Sequence, residues 1–164
     1  MNFPLARQLI ALSCLLPALA GAQAIVRHKI PGSDFPIAQA VSIAPGTTIH
    51  FISGQVPPLA DKAADPNSIA AFGDTKTQTV NVLKKIRDIL QGMGLEMGDV
   101  VKMQVFLVGD PAKGGRGDVS GFMEGYTQFF GGAQPNLPAR AVFQVAALSN
   151  PGWLIEIEVV AAKK

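Results

Sequence analysis

Two apolar, β-branched segments near the C-terminus constrain the fold of this chain more than any other part of its sequence. They occupy 140–147 and 153–161, and the turn-forming residues Asn, Pro and Gly lie between them at 150–152. Runs of this length and composition on either side of a turn predict two strands that are antiparallel neighbours in a sheet. The fold must therefore accommodate a C-terminal strand pair.

The charged residues of these two strands are the best candidates for chemistry. Arg140 opens the first strand, and Glu156 and Glu158 occupy alternate positions of the second. Because side chains alternate along a strand, both carboxylates point to one face of the sheet. A guanidinium binds a carboxylate ligand in bidentate fashion, and a carboxylate across the site can act on water as a general base. The backbone N–H groups of Ala141 and Val142 could assist Arg140 if that strand end is unpaired.

A second interpretation fits the same residues. Arg140 could be a surface arginine that pairs with Glu156 or Glu158, and the two carboxylates could belong to a solvated strand face. The local sequence does not separate a binding site from a surface ion pair.

Four further strands are predicted from apolar or alternating runs, at 25–30, 39–43, 47–53 and 99–108. We expect the first at a sheet edge, and the second and third as a hairpin around 44–46. The Pro- and Ala-rich segment 54–73 has no clear period and is predicted to be a long connection, a type of loop that is often functional.

Two helices are predicted from apolar residues at i, i+3, i+4 and i+7. The first begins with a capping box of Thr75 and Gln78 and is ended by Gly92 and Gly94. Its apolar face comprises Val82, Leu83, Ile86, Ile89, Leu90 and Met93. The second runs from an Asp118 N-cap to 130, and we interpret its aromatic stripe as core. That stripe comprises Phe122, Tyr126, Phe129 and Phe130.

This order of elements predicts an α+β domain in which two helices cover one face of a mixed sheet. The other face is then uncovered. The chain is 48% apolar and 16% charged, a balance that favours burial of the uncovered face against another subunit.

The N-terminus has the features of a secretory signal. A single arginine precedes an apolar run, and small residues follow at 20–24. We expect cleavage near 22–24, a single domain over 25–164, and a periplasmic or secreted protein; a buried N-terminal helix is the alternative. Cys14 is the only cysteine, so the mature protein would contain no thiol for a disulfide or a metal site.

The remaining sequence favours no other functional class. The net charge is +2 and no run of Lys or Arg exceeds two neighbours, so nucleic-acid binding is not expected. His28 and His50 lie on different predicted strands, so no metal site is expected. The run GGRG at 114–117 lacks the spacing of a phosphate-binding loop. We expect no membrane association once the signal is removed.

Four segments in order resemble the motifs of a known family. They are FISGQVP, the stretch QTVNVLKKIRDILQGMGLEMGDVVKMQVFLVGD, YTQFFGG, and LPARAVFQVAAL followed by LIEIEVVA. They are similar to motifs of the RidA/YjgF family of small imine deaminases. The resemblance implies a chorismate-mutase-like α+β fold and a homotrimer whose sheets form a barrel, with clefts between subunits. It also implies cofactor-free hydrolysis of reactive 2-imino acids to 2-keto acids and ammonia.

The resemblance also implies roles for individual residues. Arg140 matches the arginine that binds the substrate carboxylate, and Glu156 matches the glutamate that positions the attacking water. Ser53 and Gly54 match cleft-lining residues, and the backbone of Val142 matches the amide beside the carboxylate.

Three positions depart from the family pattern. Ile37 stands in place of a cleft tyrosine, Met123 in place of an asparagine, and Val142 in place of a cysteine. Ile37 and Met123 make the predicted cleft more apolar, which leaves the preferred substrate open. A non-catalytic trimer that binds a small carboxylate or a partner protein in the same cleft is the alternative function.

Overall fold

The computed structural model describes residues 23–132 and 134–164 of the chain. Residues 1–22 of the predicted signal segment, with Cys14, lie outside these ranges. The strands and α-helices are β1 (Ile25–Lys29), β2 (Ala38–Ile43), β3 (Thr48–Gln55), α1 (Thr75–Gly92), β4 (Val100–Val108), α2 (Val119–Tyr126), β5 (Ala139–Val145) and β6 (Ile155–Lys163). Neither α1 nor α2, the α-helices of these ranges, combines the length and apolar character needed to cross a bilayer.

The strands of the described ranges form one mixed sheet of six, in the order β1-β2-β5-β4-β6-β3. β5 runs parallel to β4 and β2, whereas β6 runs antiparallel to β4 and β3. Both helices pack on one face of this sheet. The predicted α+β architecture, with β1 at an edge, is therefore confirmed.

The alternation of side chains along the central strands decides what faces the helices. β4 and β6 contribute Met103, Val105, Leu107, Ile155, Ile157 and Val159 to the core. The helices contribute Val82, Leu83, Ile86, Leu90, Phe122 and Tyr126. Met93 was predicted on this apolar face but is 47% exposed, because α1 ends at Gly92 and Met93 is its C-cap residue.

The opposite face of the sheet, here called the open face, presents apolar side chains to solvent. On β3, Phe51 is 82% exposed and Ile49 is 45% exposed. On β5, Phe143 is 47% exposed and stacks on Phe106 of β4, with ring centroids 6.1 Å apart. Large exposed apolar side chains gathered on one face mark an interaction surface.

Both predicted hairpins are wrong. β5 and β6 are separated by β4, because their connection, 146–154, is longer than a hairpin loop and can pass the end of a strand. β2 pairs with β1 rather than with β3, which pairs with β6. β1 directly precedes β2 in the chain and occupies the edge of β2 at which β3 was expected. The Ala44 N–H extends the pairing of β1 with β2 by donating to the carbonyl of Ala24 at 2.8 Å.

The helix termini differ in part from prediction. Asp74, and not Thr75, caps α1, and its carboxylate accepts the Thr77 N–H at 2.8 Å. This hydrogen bond lowers the pKa of Asp74. The cap therefore adds stability above the unfolded-state pKa of about 4, and that stability is lost as the pH falls through the lower folded-state value. Asp118 caps α2 as predicted, although α2 ends at Tyr126 and a turn follows.

Gln78, predicted to belong to a capping box, instead fastens α1 to the start of β6. Its amide nitrogen donates to the carbonyls of Gly73 at 2.8 Å and Gly152 at 3.0 Å. Its amide oxygen accepts the Leu154 N–H at 2.8 Å. Because β6 begins at the next residue, these bonds position the strand that carries Glu156.

We expect Gln78→Ala to lower the free energy of unfolding by about 2–4 kcal/mol, because buried backbone groups lose their partners. Urea unfolding followed by circular dichroism measures this change. Gln91→Ala, at an exposed position of α1, should stay within about 0.5 kcal/mol of the wild type. A Gln78→Ala protein as stable as the Gln91→Ala protein would contradict the anchoring role.

Candidate active site

Arg140 projects from β5 toward the helices. It lies opposite the buried Met103 of β4, and paired residues of neighbouring strands share a face of the sheet. Its guanidinium therefore packs under α2, with Cζ 4.2 Å from the ring centroid of Tyr126 and 4.9 Å from that of Phe122. Phe35 forms a third wall, 5.6 Å away. We call these three rings the aromatic cage; each is within the range of a cation–π interaction.

The guanidinium has no acidic partner among the described residues. Nη2 donates to the sulfur of Met123 at 3.3 Å, and a thioether is a weak acceptor. Nη1 is buried and has no hydrogen-bond partner within those residues. A buried charged donor without an acceptor is costly. The surface-ion-pair interpretation of Arg140 is therefore wrong, and the site is suited to an anionic ligand.

The cage also fixes the ionisation of its polar groups. Burial lowers the pKa of Arg140, and the proximity of Tyr126 opposes that change. Burial raises the pKa of Tyr126 to about 12, against the effect of the Arg140 charge. The Tyr126 hydroxyl donates to the carbonyl of Pro36 at 2.7 Å. A ligand therefore meets a cation beside a neutral phenol whose proton is already engaged.

The backbone beside Arg140 offers a second donor. β2 meets β5 at one residue pair, Ala38 with Ala139, and the Ala38 N–H donates to the Pro138 carbonyl at 3.0 Å. Because alternate residues of a strand direct their backbone groups to the same edge, the Val142 N–H points to this edge beyond the contact with β2. The edge of β5 at which the Val142 N–H would bind a carboxylate is therefore not covered by β2.

Glu156 lies on the open face, on the other side of the sheet from the aromatic cage. Its neighbours Ile155 and Ile157 are buried under the helices, and across the strand it pairs with Phe106. Its carboxylate rests against Gly54, where a Cβ atom would collide with Oε1. The absent side chain of Gly54, at a bulge in β3, thus makes room for the carboxylate.

Ser53 is exposed on the same open face, beside Gly54. It lines a cavity of about 340 Å³ together with Lys102, Gln104 and Glu158. The cavity is open to solvent, so the open face has a polar recess between its apolar side chains.

The structure thus divides the predicted site into two groups. The cage side holds Arg140, Val142, Met123 and Ile37, and the open face holds Ser53, Gly54 and Glu156. The expectation that Arg140 and Glu156 lie on adjoining strands is wrong, because β4 separates them and they point to opposite faces. One chain alone does not bring both groups to one small ligand.

A cavity of about 250 Å³, here called the side pocket, adjoins the cage. Phe35 belongs to both, and Pro36 and Ile37 also line the side pocket. Phe35 was not predicted as a site residue, and Phe122 and Tyr126 were assigned only to the core. One sequence feature could have indicated the cage: an arginine lies at a core-facing strand position, and the second helix of the same chain carries an aromatic stripe.

The histidines lie on opposite edge strands, His28 on β1 and His50 on β3. His28 Nε2 hydrogen-bonds with the Ser42 hydroxyl at 2.9 Å. Over 23–132 and 134–164, no group of three or more His, Cys, Asp and Glu residues has the arrangement of a metal site. The two histidines do not form a pair.

Comparisons with known proteins agree with the geometry of the fold. The family model described as Endoribonuclease L-PSP matches residues 35–163. The human 2-iminobutanoate/2-iminopropanoate deaminase is 37% identical over 137 residues, covering 81% of this chain and 84% of that protein. The mouse protein of the same name is 35% identical over 136 residues, covering 82% and 87%.

Solved structures give the same result. Escherichia coli TdcF with bound serine matches with a TM-score of 0.56 and 30% identity, covering 87% of this chain and 99% of that one. A Yersinia pestis protein of the Rid family, YyfB, matches with a TM-score of 0.61 and 26% identity, covering 85% and 98%. With its motifs, its fold and its relatives in agreement, this chain belongs to the RidA/YjgF family.

Proposed function

We propose that this protein hydrolyses reactive 2-imino acids, and the enamines that tautomerise to them, to 2-keto acids and ammonia. Family membership and the human relative named as a 2-iminobutanoate/2-iminopropanoate deaminase support this proposal. One water molecule is consumed: its oxygen replaces the imine nitrogen as the keto oxygen, and its two hydrogens leave with that nitrogen as ammonia. The reaction involves no net oxidation or reduction.

The observation that carries the proposal is the half-buried guanidinium of Arg140, whose buried Nη1 has no hydrogen-bond partner and which forms no ion pair within the described ranges. A carboxylate provides two oxygens in the plane of the guanidinium and would satisfy that donor. The Val142 N–H at the adjoining strand edge would supply a further hydrogen bond. All 2-imino acids carry a carboxylate beside the reacting carbon, so binding of that carboxylate fixes the position of the imine.

Glu156 is proposed as the group that activates water. Its carboxylate accepts a proton as the water oxygen attacks the imine carbon, and the imine nitrogen takes a proton from solvent and becomes an amine. The resulting carbinolamine then releases ammonia as its hydroxyl gives its proton to solvent and becomes the keto oxygen. Glu156 returns its proton to the departing nitrogen and is regenerated.

A site that contains both Arg140 and Glu156 requires two chains, because the two residues lie on opposite faces of the sheet. We propose a homotrimer in which the open face of one subunit covers the cage-side strand edge of the next. The exposure of Phe51 and Phe143 on the open face supports this arrangement. The sheets of the three subunits would then pack together into the barrel that the family resemblance implies.

Export to the periplasm or the medium remains a proposal that rests on the signal-like sequence of 1–24. The alternative function is a non-catalytic module that binds a small carboxylate. It is favoured by Ile37 and Met123, which are apolar residues at cage-side positions where the family pattern has polar ones. Arg140 would bind the ligand carboxylate in both functions, so a measurement of imine hydrolysis decides between them.

The test generates 2-iminopropanoate in situ from alanine with an amino-acid oxidase, in the presence of semicarbazide to trap the surviving imine. Addition of the protein should lower the yield of semicarbazone and raise that of free pyruvate by the same amount, while total ammonia stays constant because semicarbazone formation also releases ammonia. Hydrolysis no faster than in buffer would reject the enzyme. Calorimetric binding of pyruvate without such turnover would then support the binding module.

A further inference from the structure

We propose that the side pocket receives the side chain of the substrate, and that the protein therefore prefers 2-imino acids with a branched aliphatic or aromatic side chain. This inference rests on the proposed deaminase function, and it names the substrate class of the same site. Phe35, which belongs to both the cage and the side pocket, is assigned as a specificity-determining residue.

The cage determines where the substrate side chain must go. Tyr126 and Phe122 cover the guanidinium at 4.2 and 4.9 Å, and Met123 receives its Nη2 hydrogen bond. Phe35 is the most open wall, since its side chain is 48% exposed while Phe122 and Tyr126 are fully buried. A carboxylate that approaches the guanidinium from solvent therefore passes Phe35, and the carbon chain attached to it lies against that ring.

The side pocket continues from Phe35 and is large enough for a hydrocarbon side chain. Its volume of about 250 Å³ exceeds the roughly 150 Å³ of an apolar cavity that accepts benzene. Pro36, Ile37 and Leu137 provide apolar walls, and Gly131 and Gly132 leave space between them.

Polar residues also contribute to the side pocket. Lys29, Ser33 and Asp34 belong to its lining and are exposed to solvent. On the cage side, the Tyr126 proton is engaged by Pro36 at 2.7 Å. The position at which the family pattern has an asparagine carries the thioether of Met123. On the cage side, a polar substrate side chain would therefore gain no hydrogen-bond partner beyond the guanidinium, whereas an apolar one packs against Phe35.

The experiment compares imines generated in situ from alanine, leucine and asparagine by amino-acid oxidases. Leucine and asparagine side chains have the same branched shape but opposite polarity, so this pair separates polarity from size. We expect kcat/KM for the leucine-derived imine to exceed that for each of the other two by roughly tenfold or more.

Variants test the residues directly. Phe35→Ala should lower kcat/KM for the leucine-derived imine by a clearly larger factor than kcat/KM for 2-iminopropanoate, and so remove most of the preference for the leucine-derived imine. Met123→Asn should narrow the gap between the leucine- and asparagine-derived imines. Met93→Ala is the matched control, because Met93 is equally exposed, at 47% against 48% for Phe35, and lies at the C-terminus of α1; it should leave the preference unchanged.

Equal kcat/KM values for the leucine- and alanine-derived imines, or an equal loss on both in Phe35→Ala, would overturn the inference while leaving the deaminase intact. Inactivity on every imine would instead overturn the proposed function. In that case calorimetry decides the inference: 4-methyl-2-oxopentanoate should bind at least about tenfold more tightly than pyruvate, and equal affinities would overturn it.

Discussion

Replacing Arg140 by lysine is expected to lower kcat/KM for 2-imino acids by roughly 100-fold or more, although the positive charge is retained. An ammonium group cannot present two parallel donors to a carboxylate, and it would not reproduce the contacts of the guanidinium with the rings of Tyr126 and Phe122. Loss of one or two charge-assisted hydrogen bonds, at about 1.5–3 kcal/mol each, corresponds to a reduction of this size. Arg140→Ala should lower the rate further.

The control for this prediction is Arg87→Lys. Arg87 is an arginine of α1 whose guanidinium pairs with the neighbouring Asp88 at 2.9 Å, so the substitution should leave kcat/KM within about twofold of the wild type. Thermal unfolding of both variants checks that the fold is retained. If a folded Arg140→Lys protein is as active as the Arg87→Lys protein, the guanidinium is not the carboxylate anchor.

The elements of this fold were predictable because the patterns that form them are local. The helix over Thr75–Gly92 follows from apolar residues repeated each turn, and the strand over Val100–Val108 follows from alternation, and both were found at these positions. The Asp118 N-cap was likewise readable, since a side-chain oxygen needs only the N–H three residues later.

The order of the strands was not predictable in the same way, because it depends on contacts between distant segments. A turn at 150–152 fixes where the chain bends, but the insertion of β4 between β5 and β6 depends on the burial of Met103 and Val105 under both helices. The position of β6 also depends on Gln78, which bonds to Gly152 and Leu154 from more than 70 residues away. Local sequence patterns do not predict these interactions between distant segments.

The candidate site shows the same division. The choice of Arg140 as the anchor followed from its chemistry and from the family motifs, and the structure adds the unpartnered donor that gives the choice a physical basis. The aromatic cage escaped prediction because Phe35, Phe122 and Tyr126 come from two distant parts of the chain. The placement of Glu156 on the opposite face of the sheet followed only from the pairing of β4 with β5 and β6.

That placement leads to the second large effect that we expect. Two inactive variants, Arg140→Ala and Glu156→Gln, should regain activity when their chains are co-expressed and assemble together. In a cyclic trimer whose sites each take Arg140 from one subunit and Glu156 from the next, every mixed trimer contains one intact site. Random mixing of equal amounts should therefore restore about a quarter of the wild-type sites. The measurement is semicarbazide-competed hydrolysis of 2-iminopropanoate by the co-purified mixture, with each chain carrying a different affinity tag.

The control for this complementation is co-expression of Arg140→Ala with a chain that carries both substitutions, because no assembly of those chains contains an intact site. It should remain as inactive as either parent. Glu156→Gln keeps the size of the side chain that rests on Gly54, so failure to assemble is not expected to mask recovery. A mixed sample that contains both tags but shows no recovery would mean that Arg140 and Glu156 do not act together across a subunit boundary. Glu156 would then lose its assignment as the group that activates water, because within one chain the sheet separates it from the guanidinium.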